Sequence, residues 1–507
     1  MNKFTNKLKG FFGARAFSSA SLTAVVIAVV VVLNAVLYAL TSLFGLYIYS
    51  PETDDLSLSG NTDDLFAEAL DKKKEVTVTF LKTEQDVQSH ETGSFVLETA
   101  RAFAERYPEM ISLRFVNFLT RRDENGELVN LSKYKTDMNG NETALLSSSV
   151  IFSCGENYRV ITDVYTSAGY ADFFTIDGSG KANAYNGEEV MGAMISWVLH
   201  DEHKTAYLTQ NHGETADVAF SNLLACAGYY VDVINLRKEE VPRDKAGMVI
   251  ISNPTTDFER AAEGSDVRAE IERLDDYLAD GGKLYVAIDP YVRRLPVLEG
   301  YLAEKGITLM GRDNEIGYNR DVVKDPNDAI SVDGLTFVAE FGDNNVASDI
   351  AANVKRYSDS KVLLSTVSAL ELSGSAKPLL LSSPSSVLVS GGKTVDSEGR
   401  YPVAAYAEQA NSNGSYAHIF VIPSSLLTES DVLITDGYAN KDFVYSTFVE
   451  LFGAPSAPYG CKTVLYSTGT LENLTMGKAK AYTALLMAVP AVLGVLGAVY
   501  IIRRKNR

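Results

Sequence analysis

A histidine and a glutamate stand two positions apart in the loop that follows an apolar, alternating segment beginning at Thr205. An imidazole beside a carboxylate can transfer protons or hold a polar ligand. Two further predicted strands end in polar residues, and the carboxyl ends of parallel strands meet at the edge where open α/β sheets bind ligands. The sequence therefore predicts a candidate ligand crevice lined by His212, Glu214, Asn253 and Asp289.

The same loop also has a purely structural interpretation. With Asn211 as the N-cap residue and Glu214 three residues later, it fits a variant of the capping box that opens many helices. Capping alone would account for both residues. We favour this interpretation over the ligand crevice.

The sequence offers no catalytic nucleophile in a recognised setting. Cys154, Cys226 and Cys461 form no C-x-x-C pair, and neither a G-x-C-x-G nor a G-x-S-x-G turn is present. These turns present the nucleophile in amidotransferases and in serine hydrolases. We therefore expect the cysteines to be structural and the chain not to be an enzyme.

Neither a metal nor another cofactor is expected. His200 and His203 have a spacing that could place two ligands on one helical face, but the H-E-x-x-H order of zinc hydrolases is missing. We interpret both as residues at a helix C-terminus, where histidine interacts favourably with the helix dipole. The Walker motif G-x-x-x-x-G-K-[ST] is also missing, so any ATP must be hydrolysed by a partner.

Charge is distributed unevenly along the 507 residues. The formal net charge is -19, yet residues 1–21 and residues 503–507 each contain four cations and no acid. The acidic excess therefore lies between the two ends. Nucleic acid is disfavoured as a partner, because a surface that follows a phosphate backbone needs a basic stripe.

Two uncharged segments are long enough to cross a membrane. Residues 22–49 and residues 481–502 contain 28 and 22 residues without a charge, and about 20 suffice to cross the hydrocarbon core. The first is too long for a cleaved signal peptide. Because cations precede the first segment and follow the second, the positive-inside rule places both termini in the cytoplasm of a two-pass plasma-membrane protein, with residues 50–480 outside.

Three residues in these segments indicate a membrane partner. Asn34 is costly in contact with lipid and is expected to face a protein neighbour. Gly494 and Ala498 form a small-xxx-small pair, which lets helices approach closely.

Periodicity divides the region between the spans into two α/β units. In residues 75–203, a strand, a helix and a second strand (Ile111 to Asn117) precede a hairpin that turns at Gly155 and a helix from Glu188 to Leu199. This β-α-β, β-β-α order resembles a thioredoxin-like domain. The position of its redox pair reads LKTEQDVQS, without cysteine, which excludes disulfide chemistry there.

Residues 204–460 predict a mostly parallel sheet covered on both faces, because strands alternate with helices. Strands are expected at Tyr230 to Ile234 and at Lys283 to Ala287, among others. Within residues 313–401 we expect the helix Asn345 to Tyr357 and several strands, with no function assigned.

Several segments of these units resemble one family. They read YLTQNHGE, AGYYVDVINL, VPRDKAGMVIISNPTTDF, LADGGKLYVAIDP, HIFVIPSSLL and ANKDFVYSTFVELFG. They are similar to the gliding-motility-type (GldG-like) auxiliary component of ABC transporters, and the resemblance covers most of residues 75–460. It implies a thioredoxin-like unit followed by a class I glutamine-amidotransferase-like, doubly wound domain, beside an ATPase and a permease. The family loop usually reads GHGE, and Asn211 replaces its first glycine.

Together these observations predict a non-enzymatic, membrane-anchored auxiliary subunit of an ABC transport system, with permease and ATPase subunits as partners. One alternative is a surface-anchored hydrolase or amidase that uses the crevice at His212 and Asp289. Another is a passive envelope-binding protein without a transporter.

Overall fold

The computed structural model describes residues 56–465 apart from short gaps. The gaps are 60–61, 138–139, 166–172, 177–181, 263–267, 315–316, 328, 359–360, 397, 426, 429–432, 434–436, 456 and 462. Residues 54–466 belong to one compact unit. Within the described part, no helix combines the length and apolar character needed to cross a bilayer. Both predicted spans, the two basic termini and the partner-facing residues Asn34, Gly494 and Ala498 lie outside the described residues.

The helices, numbered in chain order, agree with the periodicity at most positions. They are α1 (Thr62–Asp71), α2 (Glu84–Gln88), α3 (Glu91–Arg106), α4 (Gly187–Leu199), α5 (Val218–Cys226), α6 (Glu270–Ala279), α7 (Pro296–Glu304), α8 (Asn345–Tyr357) and α9 (Asn440–Glu450). A short 3-10 helix covers Ser132–Lys135.

The strands form two principal sheets and several small ones. Those of the first half are β1 (Val76–Phe80), β2 (Ile111–Asn117), β3 (Arg122–Asp123), β4 (Val150–Cys154), β5 (Asn157–Ile161), β6 (Phe174–Ile176), β7 (Ala182–Tyr185), β8 (Thr205–Thr209), β9 (Tyr230–Ile234), β10 (Ala246–Ser252) and β11 (Lys283–Ala287). Those of the second half are β12 (Ile307–Leu309), β13 (Gly311–Asn314), β14 (Gly317–Arg320), β15 (Val322–Lys324), β16 (Thr336–Phe341), β17 (Val362–Ser365), β18 (Leu370–Leu372), β19 (Lys377–Leu381), β20 (Val387–Ser390), β21 (Lys393–Asp396), β22 (Pro402–Ala410), β23 (Tyr416–Ile422) and β24 (Val464–Leu465).

The first sheet has the order β3-β2-β1-β4-β5. Strands β1 and β2 run parallel, with Val76 opposite Ile111, and are connected through α3. Strand β4 pairs antiparallel with β1, and the hairpin partner β5 follows at the edge. The predicted hairpin turn at Gly155 is confirmed, and Gly155 has a φ of 59°, which glycine adopts without strain.

The second sheet has nine strands in the order β17-β16-β19-β22-β23-β11-β10-β8-β9. The block β23-β11-β10-β8-β9 is parallel throughout. Strands β22, β19, β16 and β17 continue it in antiparallel fashion. The predicted α/β class is therefore confirmed, whereas the long antiparallel extension was not predicted.

The parallel block is apolar on both faces. Met248 and Ile250 of β10 enter the core shared with α5 and α9, whereas Val249 and Ile251 enter the core beneath α6 and α7. A strand covered on both sides needs such a continuous apolar run.

The path of the chain creates a switch point beside β8. From β8 the chain moves outward to β9 and then returns to β10 on the other side of β8. The loops that leave the carboxyl ends of β8 and β10 consequently diverge above the sheet, which is the usual place for a ligand in an open α/β sheet.

Candidate functional site at the carboxyl edge of the parallel sheet

The loop after β8 lies at this switch point and does not begin a helix. Helix α5 starts later, at Val218, and Asp217 is its N-cap, with a side-chain oxygen that accepts the amide of Ala219. The predicted capping role of Asn211 and Glu214 is therefore wrong. The capping-box pattern occurs in the sequence, but here the glutamate serves a tertiary contact.

Two left-handed residues shape this loop. Asn211 has a φ of 85° and Gly213 a φ of 74°. Asparagine tolerates this region better than most residues with a side chain, so Asn211 can occupy a position otherwise suited to glycine. A Cβ atom on Gly213 would lie 2.1 Å from Thr255 Oγ1, so Gly213 permits close contact with the loop after β10.

The backbone of His212 joins the two diverging loops. Its carbonyl oxygen accepts the amides of Thr255 and Thr256 at 2.7 and 2.9 Å and the Thr255 hydroxyl at 3.1 Å. These hydrogen bonds hold the loops after β8 and β10 together at the switch point, where a ligand crevice was expected between them.

The side chain of His212 is fully buried between two carboxylates. Its Nδ1 atom donates to Glu214 Oε1 at 2.9 Å, and its Nε2 atom lies 3.0 Å from both carboxylate oxygens of Glu270. The amide of His212 also donates to Glu214 Oε2 at 2.6 Å. Both ring nitrogens therefore have partners within the protein.

The surroundings of His212 stabilise its charged form. Burial by itself would lower the pKa of His212, but the hydrogen bonds and charges of Glu214 and Glu270 outweigh burial and raise the pKa to about 9. Burial would raise the pKa values of both glutamates, but the hydrogen bonds to His212 and to backbone amides, joined at Glu270 by the charges of His212 and Arg237, together lower them. Near neutral pH the cluster is an imidazolium between two carboxylates.

Three further contacts complete this cluster. The ring of Phe258 stacks on the His212 ring, with centroids 3.9 Å apart and planes inclined by 11°. The amide of Glu259 donates to Glu270 at 2.8 Å, and Arg237 Nε lies 3.4 Å from the same carboxylate. Glu270, in the first turn of α6, is the partner that sequence reasoning missed, because it lies 58 residues from His212.

Asn253 lies in the adjoining loop and also has a structural role. It is buried, has a φ of 52°, and donates from Nδ2 to the Thr428 hydroxyl at 2.9 Å. This bond connects the loop after β10 with the loop after β23.

Asp289 follows β11 but does not join the His212 cluster. Its side chain accepts the amide of Tyr291 at 2.7 Å, and no hydrogen bond or ion pair among the described residues links it to His212, Glu214 or Asn253. Its loop is held by the buried Arg320, which donates to the carbonyls of Asp289 and Val292 and to Glu299 Oε1, the last at 2.6 Å. Of the four predicted crevice residues, the structure brings His212 and Glu214 into direct contact.

The remaining histidines and cysteines are packed into the fold. His200 is the C-cap of α4, as predicted. His203 instead stacks on Trp197 at 3.4 Å, and burial, followed by the charges of Arg159 and His200, lowers its pKa to about 4. Within the described ranges, no group of histidine, cysteine and acidic residues is arranged to hold a metal ion. Cys226 and Cys461 are buried free thiols, and Cys154 is half-buried.

This geometry limits what His212 can do chemically. A general base needs an unprotonated nitrogen within reach of its substrate, and both nitrogens of His212 are protonated and bonded inside the protein. The cluster is therefore suited to fixing two loops.

Comparisons with known proteins give no family. No protein-family model matches the chain, and no curated protein matches it. Solved structures with a partial likeness include the mmIFT52 N-terminal domain (16% identity, 49% of this chain and 97% of that one, TM-score 0.36). They also include a ThuA-like protein from Bacteroides uniformis (13% identity, 50% and 94%, TM-score 0.30). PurLQS from Thermotoga maritima is a third (10% identity, 48% and 96%, TM-score 0.26). Likenesses this weak carry no argument about function.

Proposed function

We propose that this chain is a non-enzymatic, membrane-anchored auxiliary subunit of an ABC transport system, acting outside the membrane beside a permease and an ATPase. The resemblance of its sequence segments to the GldG-like family supports this proposal. The two uncharged spans support the anchoring, since cations precede the first span and follow the second.

We also propose the finer fold assignments that this family implies. The order β2-β1-β4-β5, with β1 and β2 parallel and β4 and β5 antiparallel, supports a thioredoxin-like first domain. The doubly covered parallel block with its switch point beside β8 supports an amidotransferase-like second domain.

The observation that carries the proposal is the meeting of the two segments that lead toward the predicted spans. On the amino-terminal side, the amide of Ser59 donates to Glu188 Oε1 at 2.5 Å. On the carboxyl-terminal side, the Thr463 hydroxyl donates to Asn186 Oδ1 at 2.8 Å, and β24 pairs with β7. Asn186 and Glu188 stand at the start of α4, so both segments are fixed to one helical turn.

Buried charges stabilise this junction, which we define as Ser59, Asn186, Glu188, Glu189, Lys441, Tyr445, Gly460, Cys461 and residues 463–465. Lys441 Nζ donates to Glu189 Oε2 at 2.8 Å and to the carbonyl of Cys461 at 3.3 Å. The Tyr445 hydroxyl donates to Glu189 Oε1 at 2.6 Å. An auxiliary subunit that braces a permease is expected to hold the segments leading to its spans against its own fold, whereas a tethered enzyme needs only a linker.

The hydrolase alternative, built on His212 and Asp289, has less support. It would require His212 to break its hydrogen bond to Glu214 or Glu270 and to approach Asp289, whose loop is held by Arg320. A passive envelope-binding protein would retain the same outer fold, but it would have no ATPase beside it.

Copurification tests the proposal. The full chain, extracted gently from native membranes, is expected to bring a permease and an ATPase with it. Gly494→Leu and Ala498→Leu should weaken that association, because bulky side chains prevent close helix approach. Ala488→Leu, about a third of a turn around the helix from Gly494, is the matched control. Repeated recovery of the intact chain alone would contradict the proposal.

A further inference from the structure

A cavity of about 680 Å³ lies at the opposite edge of the parallel sheet from His212. The amino ends of three neighbouring strands reach it, with Lys204 just before β8, Ala246 at the start of β10 and Lys283 at the start of β11. Its volume falls within the range of small-molecule sites, about 300 to 1,000 Å³. It shares no residue with the His212 cluster.

Two lysines, Lys204 and Lys283, line this cavity, and neither has a carboxylate partner among the described residues. Lys283 Nζ donates to the carbonyl of Phe452 at 2.5 Å, and Lys204 Nζ donates to the carbonyl of Asp244 at 2.8 Å. Each ammonium has three donors, and among the described residues neither lysine forms an ion pair. Burial, and then the like charge of Lys204, lowers the pKa of Lys283.

Three acidic residues, Asp201, Glu202 and Asp280, also line the cavity, and two of them have partners of their own. Asp280 pairs with Arg243. Asp201 lies 3.4 Å from Lys74 Nζ and accepts Asn157 Nδ2 at 3.1 Å. The side chain of Asp201 is 80% exposed, so its charge is screened by water at the rim. Glu202, the third acid, is exposed to water. Once the pairs of Asp280 and Asp201 are set aside, the two lysines outnumber the remaining carboxylate of the lining.

The walls provide room and an apolar surface. Gly453, in contact range of Lys283, leaves space there, since a Cβ atom on it would lie 3.0 Å from the ammonium nitrogen. Buried aromatic residues, Tyr229, Tyr277 and Phe452, form part of the lining. An organic body could pack against them while an anionic group meets the lysines.

We infer that this cavity is a binding site for a small molecule carrying a phosphate group, held by Lys204 and Lys283. A phosphate monoester carries a charge of about −1.5 to −2 at neutral pH, which matches two ammonium ions. Lysine binds phosphate as a compact point charge. The ligand is either a soluble phosphate ester or the headgroup of a phospholipid.

The cavity also lies beside helix C-termini, which supply a competing explanation for the lysines. Phe452 follows the end of α9, and cations near helix C-termini are stabilising without any ligand. If the lysines only neutralise these helix ends, they will not confer phosphate binding.

Titration calorimetry on the full chain in detergent separates the two explanations. Glycerol 3-phosphate and inorganic phosphate, at constant ionic strength, are expected to bind the wild-type protein. Lys204→Met should weaken binding on the order of tenfold or more, the loss expected for one charge-assisted hydrogen bond. Lys238→Met, after the carboxyl end of β9, should leave it unchanged. Absence of wild-type binding, or binding unaffected by Lys204→Met, would overturn the inference.

Acylation of Lys283 gives a second readout that does not require a variant to fold. An amine-reactive reagent at pH 8, followed by peptide mass spectrometry, should label Lys283 less when glycerol 3-phosphate is present. In phosphate-free buffer, protection in nanodiscs that contain phosphatidic acid, whose headgroup is a phosphate monoester, but not in galactolipid nanodiscs would identify a lipid headgroup as the source. Protection only by the soluble ester would identify a free metabolite. Equal labelling under all conditions would contradict the site.

Discussion

Lys441 Nζ lies 2.8 Å from Glu189 Oε2, with both side chains largely buried between α4 and α9. Burial alone would lower the pKa of Lys441, but the charge and hydrogen bond of Glu189 raise it. The pair joins α4 to α9, beside the segment that leads to the second predicted span. Because both groups are buried, each charge depends on the other for its compensation.

Lys441→Met is expected to destabilise the outer region strongly. Removing one member of a buried ion pair leaves the other charge without compensation, which costs about 3 to 5 kcal/mol. Chemical denaturation of the full chain in detergent would measure the loss. The double variant with Glu189→Gln should recover much of it, because no unpaired charge remains, whereas a double variant as unstable as Lys441→Met would contradict this explanation.

Gly213→Ala is expected to cost more stability than another glycine replacement at a similar backbone angle. Gly213 and Gly414 have φ values of 74° and 83°, but an added Cβ would meet Thr255 only at Gly213. A left-handed alanine costs about 1 to 2 kcal/mol at either position, and the contact with Thr255 adds to this at Gly213. Equal midpoints in urea for Gly213→Ala and Gly414→Ala would show that the loops do not pack as closely as described.

Much of the local structure could be predicted from the sequence. The bounds of β2, β9, β11 and α8 match the predictions to the residue. Turn or capping residues adjoin three of them, with Asn235 after β9, Gly282 before β11 and Asn344 before α8. The hairpin at Gly155 and the α/β class follow from the same patterns. Local periodicity is enough for such elements.

Contacts between distant segments could not be predicted in this way. Glu214 looked like a capping residue because its spacing from Asn211 is local, yet its partner His212 is fixed by Glu270 from another helix. Likewise, nothing in the sequence near Glu189 points to Lys441, 252 residues away. The sequence does show a glutamate at the start of an apolar helix. This indicates that Glu189 has a partner, since charged residues are rarely buried without one, but it does not identify that partner.

The proposed membrane topology can be tested directly. With both basic termini in the cytoplasm, proteases added to intact cells should cleave between residues 50 and 480 while tags at either end stay protected. Permeabilised cells serve as the control, because both tags should then become accessible. A carboxyl-terminal tag that is cleaved in intact cells would rule out this topology.

His212 should make the stability of the outer region depend on pH. Its pKa is raised from an ordinary value of 6.5 to about 9 in the folded state. The resulting stabilisation is fully present below pH 6.5 and is lost as the pH rises toward 9, a change on the order of 3 kcal/mol. The lowered pKa values of Glu214 and Glu270 act in the acid range instead, where stability falls as these carboxylates become protonated.

His212→Gln is the variant that isolates this effect, since glutamine keeps a polar side chain but does not titrate. We expect it to unfold at lower urea concentration than the wild type at pH 6, with a difference that shrinks as the pH approaches 9. His203→Gln is the matched control, because His203 stays neutral across this range with a pKa of about 4. If the wild type and His212→Gln show the same pH dependence between 6.5 and 9, His212 is not the buried imidazolium that joins the two loops.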